Sequence, residues 1–503
     1  MGPSHPLYLP APRDHAGLAS PALSLRELLA WLLLLYTVLA VLFAGLGSYP
    51  LYDPDEGRNA EVAREVVVEN HWIPPTLNGQ ARYQKPPLYY WLVAASFEAL
   101  GINETAARLP SALAALASVL LTVLLGRRLW GTAEGLWAGA ILATSLVFVA
   151  YSRIVIFDMV LTLFTTCSIA LFWWGVEDQS ETPLLGSALS ASLAFLTKGP
   201  VGVLIPMMAV LPPLAYRRRR GRRFHVPWLN MLAIFALVSL PVYLAAEARC
   251  PGYCKRFFWE ENVLRFLTHR YHREGPIFYY PLVILVGLFP WTWLLRHLPA
   301  TARRMGKSST EELLFLGSWI LLPTLFFTLS RSKLPHYVLP TFPAWALLLS
   351  RIAREARVSR QTLTLTAMAA AVLYLGCLPL VSHQVIAHRS AADVVRRAQL
   401  QPGIPLLVFK ARGYSLAFYA QREVATIHRK RELAEALSQP GRFYLFTTKK
   451  RLATVQELAR PRGRKVRVLG SSQRYTLLAI ESRAARGKWE EGRNAAKNSN
   501  PGC

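Results

Sequence analysis

The stretch LLAWLLLLYTVLAVLFAGL, residues 28–46, decides the class of this protein. It carries no charged residue over its nineteen positions, which is long enough for a helix to cross the roughly 30 Å hydrocarbon core of a bilayer. The run is longer than the apolar core of a signal peptide, and no small-residue cleavage site follows it. We therefore interpret it as a membrane span that is retained.

The composition extends this interpretation to most of the chain. Of 503 residues, 53% are hydrophobic and only 17% are charged, and the mean hydropathy is +0.26. A soluble protein of this size would carry more charge. Ten further apolar runs occur at 109–126, 133–150, 159–176, 184–197, 200–216, 229–246, 277–295, 313–329, 338–350 and 362–382. The sequence predicts an α-helical polytopic membrane protein with about eleven spans. The range is ten to thirteen, because several runs are short or interrupted by proline.

Lys and Arg in the short loops predict the orientation. With a cytoplasmic N-terminus, the inner loops contain Arg127-Arg128, the run RRRRGRR at 217–223, and basic stretches at 296–307 and 351–360. The large first loop, residues 48–108, then faces outward. Amphipathic stretches at 58–69 and 88–100 within it could lie along the membrane interface.

The composition changes after residue 382. Short β-like runs such as IPLLVF (404–409) and RFYLFTT (442–448) alternate with helical stretches such as RELAEAL. We expect a membrane domain over 1–382, a small α/β soluble domain over 383–485 and a disordered tail over 486–503. An odd number of spans places the soluble domain outside. Its positive charge favours the inside, but long domains translocate largely regardless of charge. A basic exterior domain suits anionic lipid headgroups and not nucleic acid.

The cysteines and the absent motifs limit the function classes. Cys250 and Cys254, in CPGYC on the predicted outer side, could form a disulfide or remain free thiols. The sequence has no CxxC pair, no HExxH and no P-loop lysine motif. These absences argue against a zinc protease and an NTP-driven pump.

Charged residues gather where the predicted spans reach the outer face. Such residues are expensive in a membrane and tend to be functional. They lie in LYDPDEGRNAEVARE (51–65), ARYQKPPLYYW (81–91), YSRIVIFDMVLTLF (151–164), AFLTKGPVGVLIP (194–206), FFWEENVLRFL (257–267) and TLSRSKLPHYVLP (328–340). Each alone could be a solvated loop, or an aromatic belt with a snorkelling lysine. Together they suit a cavity for a phosphate-bearing amphiphile, with apolar walls for its tail and cations for its headgroup.

The order of DPDEGR, QKPPLYYW, RIVIFD, LTKGP, FFWEENVLRF and SKLPHYVLP resembles the bacterial lipid A aminoarabinose transferases. It also resembles the wider protein-mannosyltransferase-like family of GT-C glycosyltransferases. The similarity spans roughly residues 25–350. It implies an enzyme of the bacterial inner membrane that moves a sugar from a polyprenyl-phosphate donor to a lipid A-type glycolipid on the extracytoplasmic face. Such enzymes need no nucleotide, which agrees with the absent P-loop.

The resemblance also implies roles for individual residues. The two catalytic carboxylates are Asp55 and Asp158. The residues implied to bind the donor phosphate are Lys85, Arg58, Lys198, Arg265 and Lys333, and those of the substrate cavity are Gln84, Tyr83, Tyr337, His336 and Glu261.

Gln84 departs from the pattern of the aminoarabinose transferases, which typically have an acid before the lysine. A neutral amide is a poorer ligand for a divalent cation than a carboxylate. A metal ion held by Asp55 and Asp158 therefore stays open. For a hydroxyl acceptor, Asp55 could act as general base. For a phosphate acceptor no base is needed, and Asp55 would orient Arg58 or Lys85.

Two alternatives remain at this stage. A protein O-mannosyltransferase-like enzyme would have the same fold and a Ser/Thr acceptor. A lipid or sugar-phosphate transporter without chemistry would need polar residues along a path to both faces. The polar residues here gather at one predicted face, which favours the enzyme.

Overall fold

The structure is a computed structural model that describes residues 25–222, 224–268, 274–304, 310–382, 384, 387–411 and 413–482. The predicted disordered tail, 486–503, lies outside these ranges. The described chain forms a helical bundle followed by a small sheet with flanking helices.

Helices account for most of the chain up to residue 382. They are α1 (Leu25–Phe43), α2 (Asp55–Glu69), α3 (Leu88–Leu100), α4 (Glu104–Trp130), α5 (Thr132–Ala143), α6 (Leu146–Ser152), α7 (Phe157–Asp178), α8 (Glu181–Lys198), α9 (Val201–Arg219), α10 (Trp228–Arg249), α11 (Arg265–Leu267), α12 (Tyr279–Gly287), α13 (Leu298–Arg304), α14 (Thr310–Leu329), α15 (Phe342–Glu355) and α16 (Arg360–Val381). A π-helix spans Lys255–Leu264, and 3₁₀ helices span Trp291–His297 and Pro335–Thr341.

The predicted apolar runs are largely helical, although those at 133–150 and 277–295 are each interrupted between two helices. Five described helices are long and apolar enough to cross a membrane: α4, α7, α10, α14 and α16. The pair α5–α6, bent by 66°, and the pair formed by α12 and Trp291–Thr301, bent by 110°, raise the number to seven if each is one span. The remaining runs lie in α1, α8, α9 and α15. The helical polytopic class is therefore confirmed, whereas the number of eleven spans stays a prediction.

The helix break that positions the site does not lie at a proline within a predicted span. Helix α9 continues through its three internal prolines. Neighbouring groups in a membrane bundle can satisfy the carbonyls that such prolines leave free. The break falls instead at Gly199, between α8 and α9, where φ is +82°. A Cβ at this position would lie 2.6 Å from the ring of Phe257. The turn therefore requires glycine, and it leaves Lys198 at the end of its helix.

The first outer loop folds into α2, a short hairpin and α3. The hairpin pairs β1 (Thr76–Leu77) with β2 (Gln80–Ala81). Most of α2 is buried, including the charged side chains of Glu56, Glu61, Arg64 and Glu65. Burial of most of α2 disfavours a position of 58–69 along the interface. These charged side chains make ion pairs and hydrogen bonds within the protein.

After residue 387 the chain forms a five-stranded mixed sheet. Its strands are β3 (Leu406–Phe409), β4 (Ala425–Ile427), β5 (Phe443–Thr448), β6 (Arg464–Ser471) and β7 (Tyr475–Ser482), in the order β4-β3-β5-β7-β6. Its helices are α17 (Ala392–Ala398), α18 (Tyr414–Ala420), α19 (Lys430–Ser438) and α20 (Leu452–Ala459). Strand β3 runs parallel to β4 and β5, and β7 runs antiparallel to β5 and β6. This α/β layer has the predicted character, and the predicted boundaries at 383 and 485 stay predictions.

Candidate functional site

A cavity of about 490 Å³ lies among α9, the π-helix, α11, α14 and the 3₁₀ helix Pro335–Thr341. Its polar lining includes the cations Lys85, Lys198 and Arg265, together with Glu261, Asn262, Ser330, Ser332 and Tyr337. Its other walls are apolar and include Leu204, Phe258, Phe266, Phe326 and Phe327. Cations on one side and aromatic walls on the other match an anionic headgroup joined to an apolar tail.

Asp158 lies behind this cavity, in the first turn of α7, and is 1% exposed. A buried carboxylate needs a partner, and here the Lys198 ammonium donates to its Oδ1. His336 Nε2 lies 3.7 Å from the other carboxylate oxygen. Burial lowers the pKa of His336 to about 4, so its imidazole is neutral at pH 7. Lys198 is therefore the charged partner, and its Nζ also lies 4.7 Å from the centre of the Tyr337 ring.

Lys85 lines the cavity from the turn before α3. Its carbonyl accepts a hydrogen bond from Tyr253 Oη at 3.3 Å. Burial lowers the pKa of Lys85, and the cations Arg265 and Lys198 lower it further, while Asp158 and Glu261 oppose them. Burial and the neighbouring cations destabilise the charged form of the Lys85 ammonium group. A bound anion would stabilise it.

Glu261 and Arg265 stand one helical turn apart at the cavity wall. Arg265 Nη1 lies 3.4 Å from Glu261 Oε2. The structure therefore brings Lys85, Lys198, Arg265, Glu261 and Tyr337 to one cavity, as predicted from the sequence.

Asp55 and Arg58 form a separate pair at the start of α2. Arg58 Nη2 lies 2.6 Å from Asp55 Oδ1, and the side chains are 25% and 39% exposed for Arg58 and Asp55, respectively. The Asp55 carboxylate contributes to the electrostatic field at His336, opposing the lowering of that pKa. None of the described hydrogen bonds or ion pairs joins Asp55 to Asp158. The two predicted carboxylates thus lie on different elements, α2 and α7, and both raise the pKa of His336 against the effect of burial.

Besides Asp55, Arg58, Asp158 and His336, three further predicted residues lie outside the cavity lining that the structure describes. Lys333 donates from its ammonium to Ser330 O at 3.0 Å. Tyr83 packs on Tyr253, with ring centroids 5.8 Å apart. Gln84 Oε1 is buried without a hydrogen-bond partner among the described residues. The structure does not support a direct position in this cavity for Lys333 or Tyr83.

Sequence reasoning missed a buried salt bridge directly beside Asp55. Arg108 Nε and Nη2 each lie 2.8 Å from one oxygen of Glu56, and the side chains are 0% and 1% exposed for Arg108 and Glu56. The Val155 amide donates to Glu56 Oε1 at 3.0 Å, and Asn59 Nδ2 donates to the Val155 carbonyl at 2.8 Å. These bonds tie α2 to the segment that leads into Asp158. The available signal was a lone arginine immediately before the apolar run at 109–126.

The C-terminal domain contacts the start of α2. Both oxygens of Asp53 accept hydrogen bonds from Ser415, one from its amide at 2.7 Å and one from its hydroxyl at 2.6 Å. A Cβ at Gly57 would lie 2.5 Å from the Ser415 nitrogen, so only glycine allows this approach. The Arg58 guanidinium lies 5.7 Å from the centre of the Tyr414 ring. No sequence pattern indicated this contact, because it joins segments more than 350 residues apart.

The predicted metal candidates do not fit a shared ion. Asp55 is paired with Arg58, and Asp158 with Lys198, so a divalent cation would have to displace both cations. Among the described residues, the one group with three closely spaced ligand atoms is Glu65, Glu69 and His71, at the end of α2.

The two cysteines of CPGYC are free thiols. Neither Cys250 nor Cys254 is in a disulfide. The Cys254 amide donates to Glu247 Oε2 at 2.7 Å, which helps to shape this turn without a covalent link.

Comparison with known proteins agrees with the predicted resemblance. A family described as dolichyl-phosphate-mannose-protein mannosyltransferase matches residues 84–244. The undecaprenyl phosphate-alpha-4-amino-4-deoxy-L-arabinose arabinosyl transferase 2 of Proteus mirabilis is 33% identical over 327 residues, covering 64% of this chain and 59% of the relative. The corresponding transferase of Pseudomonas aeruginosa strain UCBPP-PA14 is 33% identical over 325 residues, covering 63% and 58%. The chain therefore spans less than two thirds of the length of these curated relatives.

A solved structure shows the same fold. It is the crystal structure of ArnT from Cupriavidus metallidurans bound to undecaprenyl phosphate, with a TM-score of 0.78 and 20% sequence identity. The match covers 89% of this chain and 97% of that chain. The resemblance to the aminoarabinose transferases and to the mannosyltransferase-like GT-C family is thus confirmed, and so is the polytopic membrane fold.

Proposed function

We propose that this protein is a membrane glycosyltransferase that moves a sugar from a polyprenyl-phosphate donor to a lipid A-type glycolipid. The observation that carries the proposal is the cavity, in which Lys85, Lys198 and Arg265 face apolar aromatic walls. Its polar part suits a phosphate and its walls suit an isoprenoid chain. The relatives named as undecaprenyl phosphate aminoarabinose transferases support this choice of donor and acceptor.

The residues divide the chemistry between them. Transfer displaces a phosphate from the anomeric carbon through an oxocarbenium-like transition state, by analogy with glycoside hydrolysis. Lys85, Lys198 and Arg265 stabilise the charge that grows on the departing phosphate. Asp158 orients Lys198 through their ion pair. Asp55 removes the proton from a hydroxyl acceptor as general base. With a phosphate acceptor, which is already ionised, Asp55 orients Arg58 instead.

The proposed location is the bacterial inner membrane, with the N-terminus in the cytoplasm. The cavity and the C-terminal domain then lie on the extracytoplasmic side. The distribution of Lys and Arg among the loops supports this orientation. Arg431, whose side chain is 89% exposed, offers a site for testing it. Arg431→Cys should react with an impermeant thiol reagent in intact spheroplasts, and protection would reverse the assignment.

Mass spectrometry of lipid A, with and without the protein, tests the proposed reaction. We expect a sugar-sized mass increase that depends on the protein, and transfer by the purified enzyme from an undecaprenyl-phosphate sugar to lipid A. Transport without chemistry would yield no new covalent product in the purified system, and that result would contradict the proposal.

The family match over residues 84–244 favours a second candidate. In this reading the acceptor is a Ser or Thr hydroxyl of a protein. The same donor incubated with peptide and with lipid A separates the two, because the fold and donor cavity are common to both.

We further propose that Asp55 and Asp158 hold no shared divalent ion, since each is already paired with a cation. Transfer should then persist after treatment with EDTA. Loss of transfer that Mg²⁺ or Mn²⁺ restores would contradict this proposal.

A further inference from the structure

Ser332 is a buried serine whose hydroxyl is without a hydrogen-bond partner within the part of the chain that the structure describes. The residue is 2% exposed. It lines the same cavity as Lys85, Lys198 and Arg265. Burying a hydroxyl without a partner is unfavourable, and native proteins rarely do so without a reason.

The surrounding turn satisfies its other polar groups. Residues 330–334 connect α14 to the 3₁₀ helix Pro335–Thr341. Ser330 Oγ donates to the Ser332 carbonyl at 3.1 Å and accepts from the Ser332 amide at 3.3 Å. The Arg331 amide donates to the Phe266 carbonyl at 3.0 Å. Two serines line the cavity wall. The Ser330 hydroxyl is hydrogen-bonded within its own turn, whereas the Ser332 hydroxyl has no hydrogen-bond partner among the described residues.

We propose that the Ser332 hydroxyl donates a hydrogen bond to an oxygen of the carrier phosphate when the polyprenyl-phosphate donor occupies the cavity. This inference rests on the proposed function and names one more residue of its donor site. Lys198 and Arg265 already have acidic partners, but together with Lys85 they place three cations on the cavity wall, and phosphate oxygens are strong acceptors. A hydroxyl supplies a neutral donor where a fourth cation would add repulsion to Lys85.

Binding of undecaprenyl phosphate to the purified protein in nanodiscs tests this contact. Ser332→Ala should weaken binding roughly ten- to a hundredfold, as expected for one hydrogen bond to a charged group. The same variant should be at least as heat-stable as wild type without lipid, because alanine removes an unsatisfied buried hydroxyl. Undecaprenol, which lacks the phosphate, should bind both proteins equally.

Ser318→Ala is the matched control. Ser318 is also a buried serine, on α14, but its hydroxyl donates to the Ala209 carbonyl at 2.8 Å. Its replacement should lower heat stability and leave the affinity for undecaprenyl phosphate unchanged. The two serines thus predict opposite patterns of stability and binding.

Several results would overturn the inference. Equal binding of undecaprenyl phosphate by wild type and Ser332→Ala is one. Lower heat stability of lipid-free Ser332→Ala is another, since it would reveal an internal partner. If the alanine variant does not fold, Ser332→Cys keeps a similar volume with a weaker donor, and wild-type affinity in that variant would also count against the contact. Failure of wild type itself to bind undecaprenyl phosphate would contradict the proposed function, and the inference with it.

Discussion

Asp55 and Glu56 are adjacent in the motif DPDEGR, yet their environments are opposite. The Asp55 side chain is 39% exposed and paired with the partly exposed Arg58. The Glu56 side chain is 1% exposed, and Arg108 binds both of its oxygens. Successive residues of a helix point about 100° apart, so one motif can serve two environments.

This difference separates a structural carboxylate from one available for chemistry. Glu56 has its acceptor capacity filled by Arg108, the Val155 amide and the Tyr52 amide. Asp55 keeps one oxygen without a partner among the described hydrogen bonds. A base must reach an acceptor proton, which a fully committed carboxylate cannot do. Charge density in a motif therefore does not by itself identify the reactive residue.

Asp55→Asn should have the largest effect on turnover. Asn keeps the shape and removes the charge, so we expect transfer to fall by roughly two to four orders of magnitude if Asp55 is the general base. The melting temperature should change little, because the residue is partly exposed. Single-turnover rates and thermal unfolding of the purified variant provide both measurements. A wild-type rate would show that the carboxylate is not needed.

Glu56→Gln should show the reverse pattern, with its largest effect on stability. Breaking a buried ion pair leaves Arg108 without its counter-charge, which costs about 3–5 kcal/mol. We expect poor insertion or a strongly lowered melting temperature. The double variant Glu56→Gln with Arg108→Met removes both charges and should recover much of the loss. No recovery in the double variant would contradict the assignment of a structural pair.

Lys85→Ala should reduce donor use by about tenfold, corresponding to about 1.4 kcal/mol. Lys85 lines the cavity proposed to hold the donor. Because its contact with the phosphate should strengthen as the phosphate departs, the loss should appear in both apparent affinity and turnover. Lys85→Arg keeps the charge but replaces a compact ammonium with a planar fork, so only partial rescue is expected. Steady-state kinetics with an undecaprenyl-phosphate sugar decide, and full activity in Lys85→Ala would rule out a phosphate contact.

The sequence was informative where local chemistry is unusual. Apolar runs located the helices, and Lys198 beside Gly199-Pro200 correctly marked a break at a cavity wall. The lysine at 333 had the same appearance in sequence, but its ammonium bonds to the Ser330 carbonyl. Which way a side chain points at a turn depends on packing between distant helices, and a linear pattern does not contain that information.

The contact between the start of α2 and the C-terminal domain could not be predicted from the sequence either. Asp53 and Ser415 are polar residues in ordinary loop or helix-start positions, and only the fold brings them together. The sequence suggested that most charged residues of α2 are solvated, because a charged stretch that follows a membrane span is usually solvated. Instead, Asp55 pairs with Arg58 and Glu61 with Arg64 inside α2, while Glu56 pairs with Arg108 of α4 and Glu65 accepts hydrogen bonds from the β1–β2 hairpin.

The effect expected at this contact is modest and falls on stability. Ser415→Ala removes the hydroxyl's hydrogen bond to Asp53 and the one that it accepts from the Ala391 amide, and we expect a loss of about 1–2 kcal/mol in the free energy of unfolding. Thermal unfolding of the purified variant measures it. Ser438→Ala is a suitable control, since that hydroxyl is exposed and bonds only to the Ala434 carbonyl and Arg462 in the described chain. An effect no larger than that of the control would contradict a stabilising role for the Ser415 hydroxyl.

The pH dependence of the same contact sharpens the comparison with Asp55. Burial raises the pKa of Asp53 from 3.8 to about 7, although the Ser415 hydrogen bonds oppose that rise. Because the pKa is raised on folding, the stability linked to Asp53 is fully present below about pH 4 and is lost as the pH rises through about 7. Above that pH the ionised Asp53 depends more strongly on the Ser415 donors, since hydrogen bonds to charged groups are the stronger ones. The loss caused by Ser415→Ala should therefore be larger at pH 8 than at pH 5. Asp53→Asn, which does not titrate, should abolish this difference, and a loss that is equal at both pH values in the Asp53 background would show that the carboxyl does not ionise there.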